Sequence, residues 1–385
     1  ATKVTARIFE HADNLKVVGR AGVGVDNIDL AAATEKGVLV VNAPDGNTIA
    51  AAEHTIAMMM ALARNIPQAY SALRAGKWDR KSFMGVELRD KVLGIIGLGR
   101  IGSAVAKRAQ GLEMKVVAYD PYLSEEKAQL LGAQLLPLDE LLKMADFITL
   151  HIPLTKESRN LIGERAFSLM KPGVRIINCA RGGIIDEQAL YEAMKAGKVA
   201  GAAFDVFEEE PNTTSPLFEL NNFIATPHLG ASTLEAQLCV ACDVVDEIIA
   251  ALQGDFVKNT VNIPPMNPKV MAIVKPYLNL AEKMGKFCAQ LIDGAVNTIE
   301  VSYSGELANE EVTPITTTLL KGFLDTIIQE RVNFVNAPNL AKSRGIKVIQ
   351  KQASGDEDYA NLLTVRAVSG KGEITVSGTN FGKKD

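Results

Sequence analysis

Between Lys91 and Ala225 the chain alternates short apolar runs with helical stretches, and this rhythm limits the folds open to it more than any other feature. The runs are Val92–Ile96, Lys115–Tyr119, Phe147–Leu150, Val174–Asn178, Val199–Phe204 and Phe223–Ala225. They are apolar on successive residues, as strands covered on both faces must be. The stretches between them carry helix signals. One helix opens near Arg100 and runs to about Gly111. Ser124 followed by Glu125 and Glu126 gives a cap with acids in the first turn. Asp186 caps a helix running through Lys195. Short buried strands alternating with helices predict a parallel, doubly wound α/β sheet.

The flanking regions differ in texture. Residues 15–19 and 38–41 are strand-like, Thr48 caps a helix rich in Ala and Met that runs to about Arg64, and a second helix follows Pro67. After a helix over 232–252, residues 258–268 hold three of the fifteen prolines and read as a linker. Beyond it, helices over 270–291 and 316–329, a strand over 298–303 and a hairpin (362–368 with 373–377, turning on Gly370-Lys371-Gly372) predict an α+β domain. A chain of 385 residues exceeds one typical core. The resulting division is 1–45 with 230–260 as a partial α/β domain, 46–229 as the doubly wound domain, and 264–385 as a C-terminal α+β domain.

A net charge of −4 gives no pull toward nucleic acid or anionic lipid, and no apolar run reaches the length of a membrane span. The opening Ala1-Thr2-Lys3-Val4 lacks a signal-peptide layout and an initiator Met, so the sequence reads as a piece of a longer, cytoplasmic chain. Four cysteines are too few for a disulfide scaffold and suit a reducing compartment. Cys239 and Cys242 form a lone CxxC inside a helix without further soft ligands, so no metal is expected.

Gly97-Leu98-Gly99-Arg100-Ile101-Gly102 is a GxGxxG that follows an apolar strand and opens a helix, the context in which the pattern has meaning. Gly97 serves a tight turn, Gly99 the approach of a pyrophosphate, and Gly102 the packing of helix on strand. Asp120 ends the next strand, eighteen residues past Gly102, where a carboxylate meets ribose hydroxyls and repels a 2′-phosphate. NAD is therefore the expected cofactor, in preference to NADP.

The chain has four histidines. His11 lies in a polar helical stretch and reads as solvated; His54 lies in the Ala/Met helix and reads as packed and hydrogen-bonded. His151 and His228 follow strands and fall at the carboxyl edge of the sheet, where ligands bind. Oxidising an alcohol by hydride transfer needs a base for the hydroxyl proton, a cation for a neighbouring carboxylate, and an acid behind the base to orient it. Arg181 follows one strand, Glu208-Glu209-Glu210-Pro211 the next and His228 the last. The three glutamates fit either that acid or a solvated loop.

Five ordered motifs then resemble the D-2-hydroxyacid dehydrogenase family: residues 20–29 (RAGVGVDNID), the glycine loop at Gly97, residues 178–186, residues 205–211 and Thr226-Pro227-His228-Leu229-Gly230. The resemblance runs from near Ala1 to about Asn262. It implies that Arg181 binds the substrate carboxylate, that His228 is the acid/base and that Glu210 is its partner. It implies cofactor contacts from Val23, the glycine loop with Arg100 and Ile101, Asp120, His151, Pro153, Cys179, Ala180, Asp205, Gly230 and Ala231, and substrate contacts from Arg20, Gly22 and Asn47. Residues 42–47 and 78–85 are similar to the branch that oxidises D-3-phosphoglycerate to 3-phosphohydroxypyruvate, the first step of serine biosynthesis. Lys77, Arg80 and Lys81 beside Trp78 suit a phosphorylated substrate or a solvated loop equally. The family further implies a homodimer or homotetramer formed around 48–64 and Trp78, α/β units ahead of Ala1, and in long members a serine-binding domain beyond Asp385. Glyoxylate, hydroxypyruvate or D-lactate reduction, and a corepressor-like protein that senses NAD, are the competing functions.

Overall fold

The computed structural model describes residues 2–255, 257–264, 267–352 and 359–381. In chain order its strands are β1 (Val17–Arg20), β2 (Leu39–Asn42), β3 (Val92–Ile96), β4 (Lys115–Tyr119), β5 (Gln134–Leu135), β6 (Phe147–Leu150), β7 (Val174–Asn178), β8 (Val199–Phe204), β9 (Phe223–Ala225), β10 (Val296–Gly305), β11 (Lys347–Gln352), β12 (Asn361–Ser369) and β13 (Gly372–Gly378). The chain divides into two compact units, Asp45–Val240 and Ala1–Pro44 with Ala241–Asp385.

The first of these is built on a seven-stranded sheet in the order β5-β4-β3-β6-β7-β8-β9, with every pairing parallel. Successive residues of each strand face opposite sides, and both sides are covered. Leu93, Ile95, Phe147 and Ile177 join a core with Val105, Ala106 and Ala109 of the helix Arg100–Gly111 and Met58, Met59 and Leu62 of the helix Thr48–Ala63. Ile96, Ile148, Leu150 and Ile176 join a second core with Leu141 and Leu142 on one helix, Phe167 on another and Leu190 on a third. This explains why the strands lack polar alternation. Burying each such side chain stabilises the fold by about 1.5–3 kcal/mol. The strand order reverses its direction of growth between β3 and β6, so the loops after them open the crevice in which α/β folds bind ligands.

The other unit holds two separate apolar cores. Phe9, Ile28, Ala33, Val38 and Val40 pack around the parallel pair β1-β2. Residues 258–268 are not simply a linker. Val261 N–H donates to Val40 O at 2.8 Å, Asn42 N–H to Asn259 O at 3.2 Å, and Asn262 Oδ1 accepts from Val40 N at 2.8 Å. The three prolines masked this, because the pairing uses the proline-free residues ahead of them. The second core lies between a mixed sheet, β11-β10-β12-β13, and the helices Pro268–Leu291 and Thr313–Ile327. β12 and β13 form the expected hairpin, with Ser369 paired to Gly372. β11 escaped the sequence reading because its KVIQKQ is an edge strand with mostly exposed side chains. The division into three domains stands as a proposal that these separate cores support; the boundary between units falls within the helix Leu234–Gln253. Among the described residues no helix is long and apolar enough to cross a membrane.

The two helices of the second core touch backbone to backbone. A Cβ added at Gly285 would lie 2.1 Å from Leu319 O, and one at Gly322 would lie 2.2 Å from Glu282 O. Neither carbonyl can move without leaving its own helix. Gly285→Ala is therefore expected to destabilise the protein by about 1–3 kcal/mol through overpacking, despite alanine's better helix propensity. A denaturant midpoint equal to or above the parent's would contradict this packing.

Candidate active site

The site grows from the carboxyl ends of adjacent strands. Asn178 of β7 is in register with Phe204 of β8, and Phe204 with Ala225 of β9. The loops leaving these residues carry Arg181, Glu210 and His228. Gly182 lets the first two loops meet, since a Cβ there would fall 1.8 Å from Phe207 O. Asn178 shapes the first loop: its Oδ1 accepts from Ala180 N and its Nδ2 donates to Arg181 O. Arg181 Nη1 donates to Ala180 O at 2.7 Å.

His228 and Glu210 are paired. His228 Nδ1 lies 2.7 Å from Glu210 Oε2, while Glu210 Oε1 accepts from Phe207 N at 3.0 Å. The backbone thus fixes the carboxylate, and the carboxylate engages the ring at Nδ1, leaving Nε2 outside this pair. Glu208 behaves differently. Glu208 Oε1 pairs with Arg159 Nη1 at 2.7 Å, and its N–H donates to Glu187 Oε1. Burial raises the Glu187 carboxyl above the ordinary range, and the nearby carboxylates of Glu208, Asp186 and Glu209 add to the rise.

Asp205, directly after β8, holds the His228 loop. Its side chain is 1% exposed. Oδ1 accepts from Thr226 Oγ1 at 2.5 Å and Leu229 N at 2.7 Å, Oδ2 accepts from Gly230 N at 2.8 Å, and His54 Nε2 lies 3.2 Å from Oδ1. Burial alone would raise this carboxyl. The bonds from His54, Thr226 and Leu229 outweigh burial and hold it below the usual range. Asp205 thus ties Thr226, Leu229 and Gly230 together around His228.

The glycine loop has the shape a dinucleotide needs. Gly97 has φ +93°, open to glycine and strained for other residues, and a Cβ at Gly102 would lie 2.1 Å from Gly97 O. A Cβ at Gly99 would meet nothing within 4 Å, so space lies beside the helix start. There the first-turn N–H groups of Arg100, Ile101 and Gly102 have no acceptor within the helix. Asp120 Oδ2 accepts from Leu98 N and Oδ1 from Tyr122 N, tying the carboxylate to the loop. The residues therefore fit a dinucleotide.

The remaining positions are spread wider. Arg100 pairs with Asp45 at 2.7 Å on the surface. Pro153 O accepts from Ser158 Oγ, and Ala231 O from Gln237 Nε2. Cys179 is largely enclosed; burial, then the Asp205 charge, push its thiol up to about 12. Asn47 precedes the helix Thr48–Ala63 without capping it through its side chain, and its Oδ1 is buried with no partner among the described residues. Arg20, Gly22 and Val23 belong to the other unit, where Gly22 O accepts from Ala43 N and Val23 O from Asn42 Nδ2. Sequence reasoning missed the parts played by Thr226, Arg159 and Glu187. Thr226 was traceable from its place two residues before His228; Arg159 and Glu187 had no local signal.

Residues 56–230 match the family model "D-isomer specific 2-hydroxyacid dehydrogenase, NAD binding domain", and residues 273–385 match "D-3-phosphoglycerate dehydrogenase intervening domain". The D-3-phosphoglycerate dehydrogenase of Methanocaldococcus jannaschii is 50% identical over 384 residues, covering 100% of this chain and 73% of that protein. The chain belongs to the D-3-phosphoglycerate dehydrogenase family. The Bacillus subtilis D-3-phosphoglycerate dehydrogenase is 46% identical over 100% of this chain and 74% of its own. Among solved structures, apo D-lactate dehydrogenase from Escherichia coli aligns with a TM-score of 0.63 at 34% identity, over 67% of this chain and 83% of that one. D-Lactate dehydrogenase from Aquifex aeolicus, complexed with NAD and lactic acid, gives 0.62 at 34%, over 68% and 84%. The chain is thus an oxidoreductase with an NAD-binding domain.

His151 follows β6 beside the glycine loop, where a Cβ at Gly97 would lie 2.7 Å from its carbonyl oxygen. Its Nε2 meets Thr149 Oγ1 at 3.0 Å, and burial lowers its pKa to about 3. It stays neutral at any pH near 7. The unfolded chain takes up a proton below about 6.5 that the folded chain refuses. His151 should therefore cost the fold stability as pH falls from there toward 3, and nothing above. Parent and His151→Gln melting temperatures, compared from pH 7 to 5, should converge as pH drops. Curves that stay parallel would remove this assignment.

Proposed function

We propose that this chain oxidises D-3-phosphoglycerate to 3-phosphohydroxypyruvate with NAD, opening serine biosynthesis. The observation that carries the reading is the His228–Glu210 pair at 2.7 Å, on the same sheet edge as the Arg181 loop and the glycine loop. The relatives' names supply the substrate. Arg181 would grip the substrate carboxylate with its planar fork. In its neutral form His228 takes the hydroxyl proton on Nε2, and Glu210 holds the ring and balances the charge that results. Gly97, Gly99, Arg100, Ile101, Gly102 and Asp120 would hold the dinucleotide, with Asp120 disfavouring a 2′-phosphate. Bound NAD supplies the hydride acceptor. Arg20, Gly22 and Asn47 are proposed substrate contacts, and Val23, His151, Pro153, Cys179, Ala180, Asp205, Gly230 and Ala231 complete the proposed cofactor surroundings. A cytoplasmic setting agrees with a chain whose four cysteines are too few for a disulfide scaffold.

The test is turnover of D-3-phosphoglycerate with NAD, beside D-lactate and glycolate. His228→Ala should lower turnover roughly 10²–10⁴-fold with NAD still bound. Glu210→Gln keeps the shape but has one acceptor oxygen for the two bonds now made, so it should lie between parent and His228→Ala. Retained turnover in His228→Ala would remove the acid/base assignment.

Assembly as a homodimer, or a homotetramer built from dimers, is part of the same proposal. Ile66, Tyr70, Leu73, Trp78 and Met84 are each more than half exposed, with Trp78 at 81%. That is more apolar surface than an isolated helix and loop carry without a partner. Sedimentation at micromolar concentration should give a dimer or larger, and Trp78→Lys should weaken it. A folded monomer would rule this assembly out.

A further inference from the structure

We propose that His54 is a positioning residue for the reaction proposed above, acting through Thr226 and Asp205 to hold the turn that presents His228. The inference rests on His228 being the acid/base.

His54 lies in the middle of the helix Thr48–Ala63, among Ala51, Ala52, Met58 and Met59. Helix propensity gives no reason for a histidine there, and simple packing would favour an apolar side chain. Its Nε2 lies 3.0 Å from Thr226 Oγ1 and 3.2 Å from Asp205 Oδ1. The directions of these bonds follow from the proton count. The Thr226 hydroxyl has a single proton, and at 2.5 Å from the Asp205 carboxylate it points there. The Thr226 oxygen is then an acceptor toward His54, so Nε2 carries a proton and is shared between the hydroxyl and the carboxylate.

The arrangement acts on the residues on either side of His228. Asp205 grips Thr226 two positions before it and Leu229 and Gly230 after it. Between these grips His228 has φ +57°, the left-handed region that residues other than glycine seldom adopt. His228 N–H also donates to Thr226 O at 3.0 Å, which closes the turn tightly on the threonine. Thr226 therefore anchors the turn at its start, and His54 is the helix side chain that fixes its hydroxyl and the carboxylate it serves. A rotation of Thr226 would release the turn and swing His228 away from Glu210.

His54→Leu fills the space without a donor, and His54→Gln restores an N–H near the position of Nε2. His54→Leu should lower kcat about 10- to 100-fold, the scale of a roughly 1 Å misplacement of a reacting group. KM for NAD should move much less. His54→Gln should recover most of the loss. Thr226→Val removes the relay hydroxyl and should lower kcat similarly, and adding His54→Leu to it should cost little more, because both act through one path. Parental kcat in His54→Leu overturns the inference, as do equal losses in the Leu and Gln variants or additive losses in the double variant. Should His54→Leu fail to fold, His54→Met, close in shape to His54→Gln but without an N–H donor, takes its place in each of these comparisons. His228→Ala separates the two levels. If it turns over normally, the catalytic reading itself fails; if it is inactive while His54→Leu matches the parent, only this inference fails.

Discussion

Asp205 places a carboxylate where its side chain is 1% exposed, and a buried charge persists only if hydrogen bonds replace the water it has lost. Here the replacements come from Thr226, Leu229 and Gly230 on one loop and His54 on one helix. The need runs both ways. The carboxylate requires four donors, and collecting them forces the loop after β9 into one shape. An exposed acid at the same position would be satisfied by water and would specify nothing. Charge burial thus turns a strand end into a fixed support, at a desolvation cost that the seven-stranded sheet is large enough to bear.

The sheet's direction explains why the support stands where chemistry is proposed. In a parallel sheet all strands end on one side, so the loops carrying Arg181, Glu210 and His228 leave from neighbouring ends in register. Close backbone approach does the rest. Gly182 touches Phe207, whose N–H in turn fixes Glu210 Oε1, so a glycine on one loop bears on the acid of the next. The chain from Gly182 through Phe207 and Glu210 to His228 has no flexible side chain of more than three torsions in it. Arg159 and Glu187 brace the same loop from outside through Glu208.

How much of this was legible in the sequence depended on how local the cause was. Strands such as Val92–Ile96 and Val174–Asn178 are covered on both faces and flanked by glycine, so apolar runs marked their ends. Ser124 and Asp186 cap helices through bonds to residues three positions on, which is also a local signal. β11 was missed because an edge strand with exposed Lys and Gln carries no apolar pattern. Residues 258–268 were misjudged because their pairing partner, β2, lies some 220 positions away, as the Asn262 to Val40 bond shows. At the site, the types and strand-end positions of Arg181, Glu210 and His228 were readable. Which of three adjacent glutamates faces His228 was not readable from spacing. It is decided by Arg159 and Glu187, which draw Glu208 aside.

The four histidines show how environment, with the same imidazole, divides the roles. His11 ends a short helix in solvent. His151 Nε2 meets the neutral hydroxyl of Thr149, and burial lowers its pKa to about 3. His54 lies 3.2 Å from the Asp205 carboxylate and 3.0 Å from the Thr226 hydroxyl, as a donor to a fixed anion. Only His228 combines what proton exchange requires: a side chain 51% exposed, a carboxylate on Nδ1 to bear the cation, and a second nitrogen turned from that partner. Its left-handed backbone angle is the cost of that presentation, and the bonds to Asp205 on both sides of it are what offset the cost. The strain is therefore located at the histidine proposed to exchange the proton.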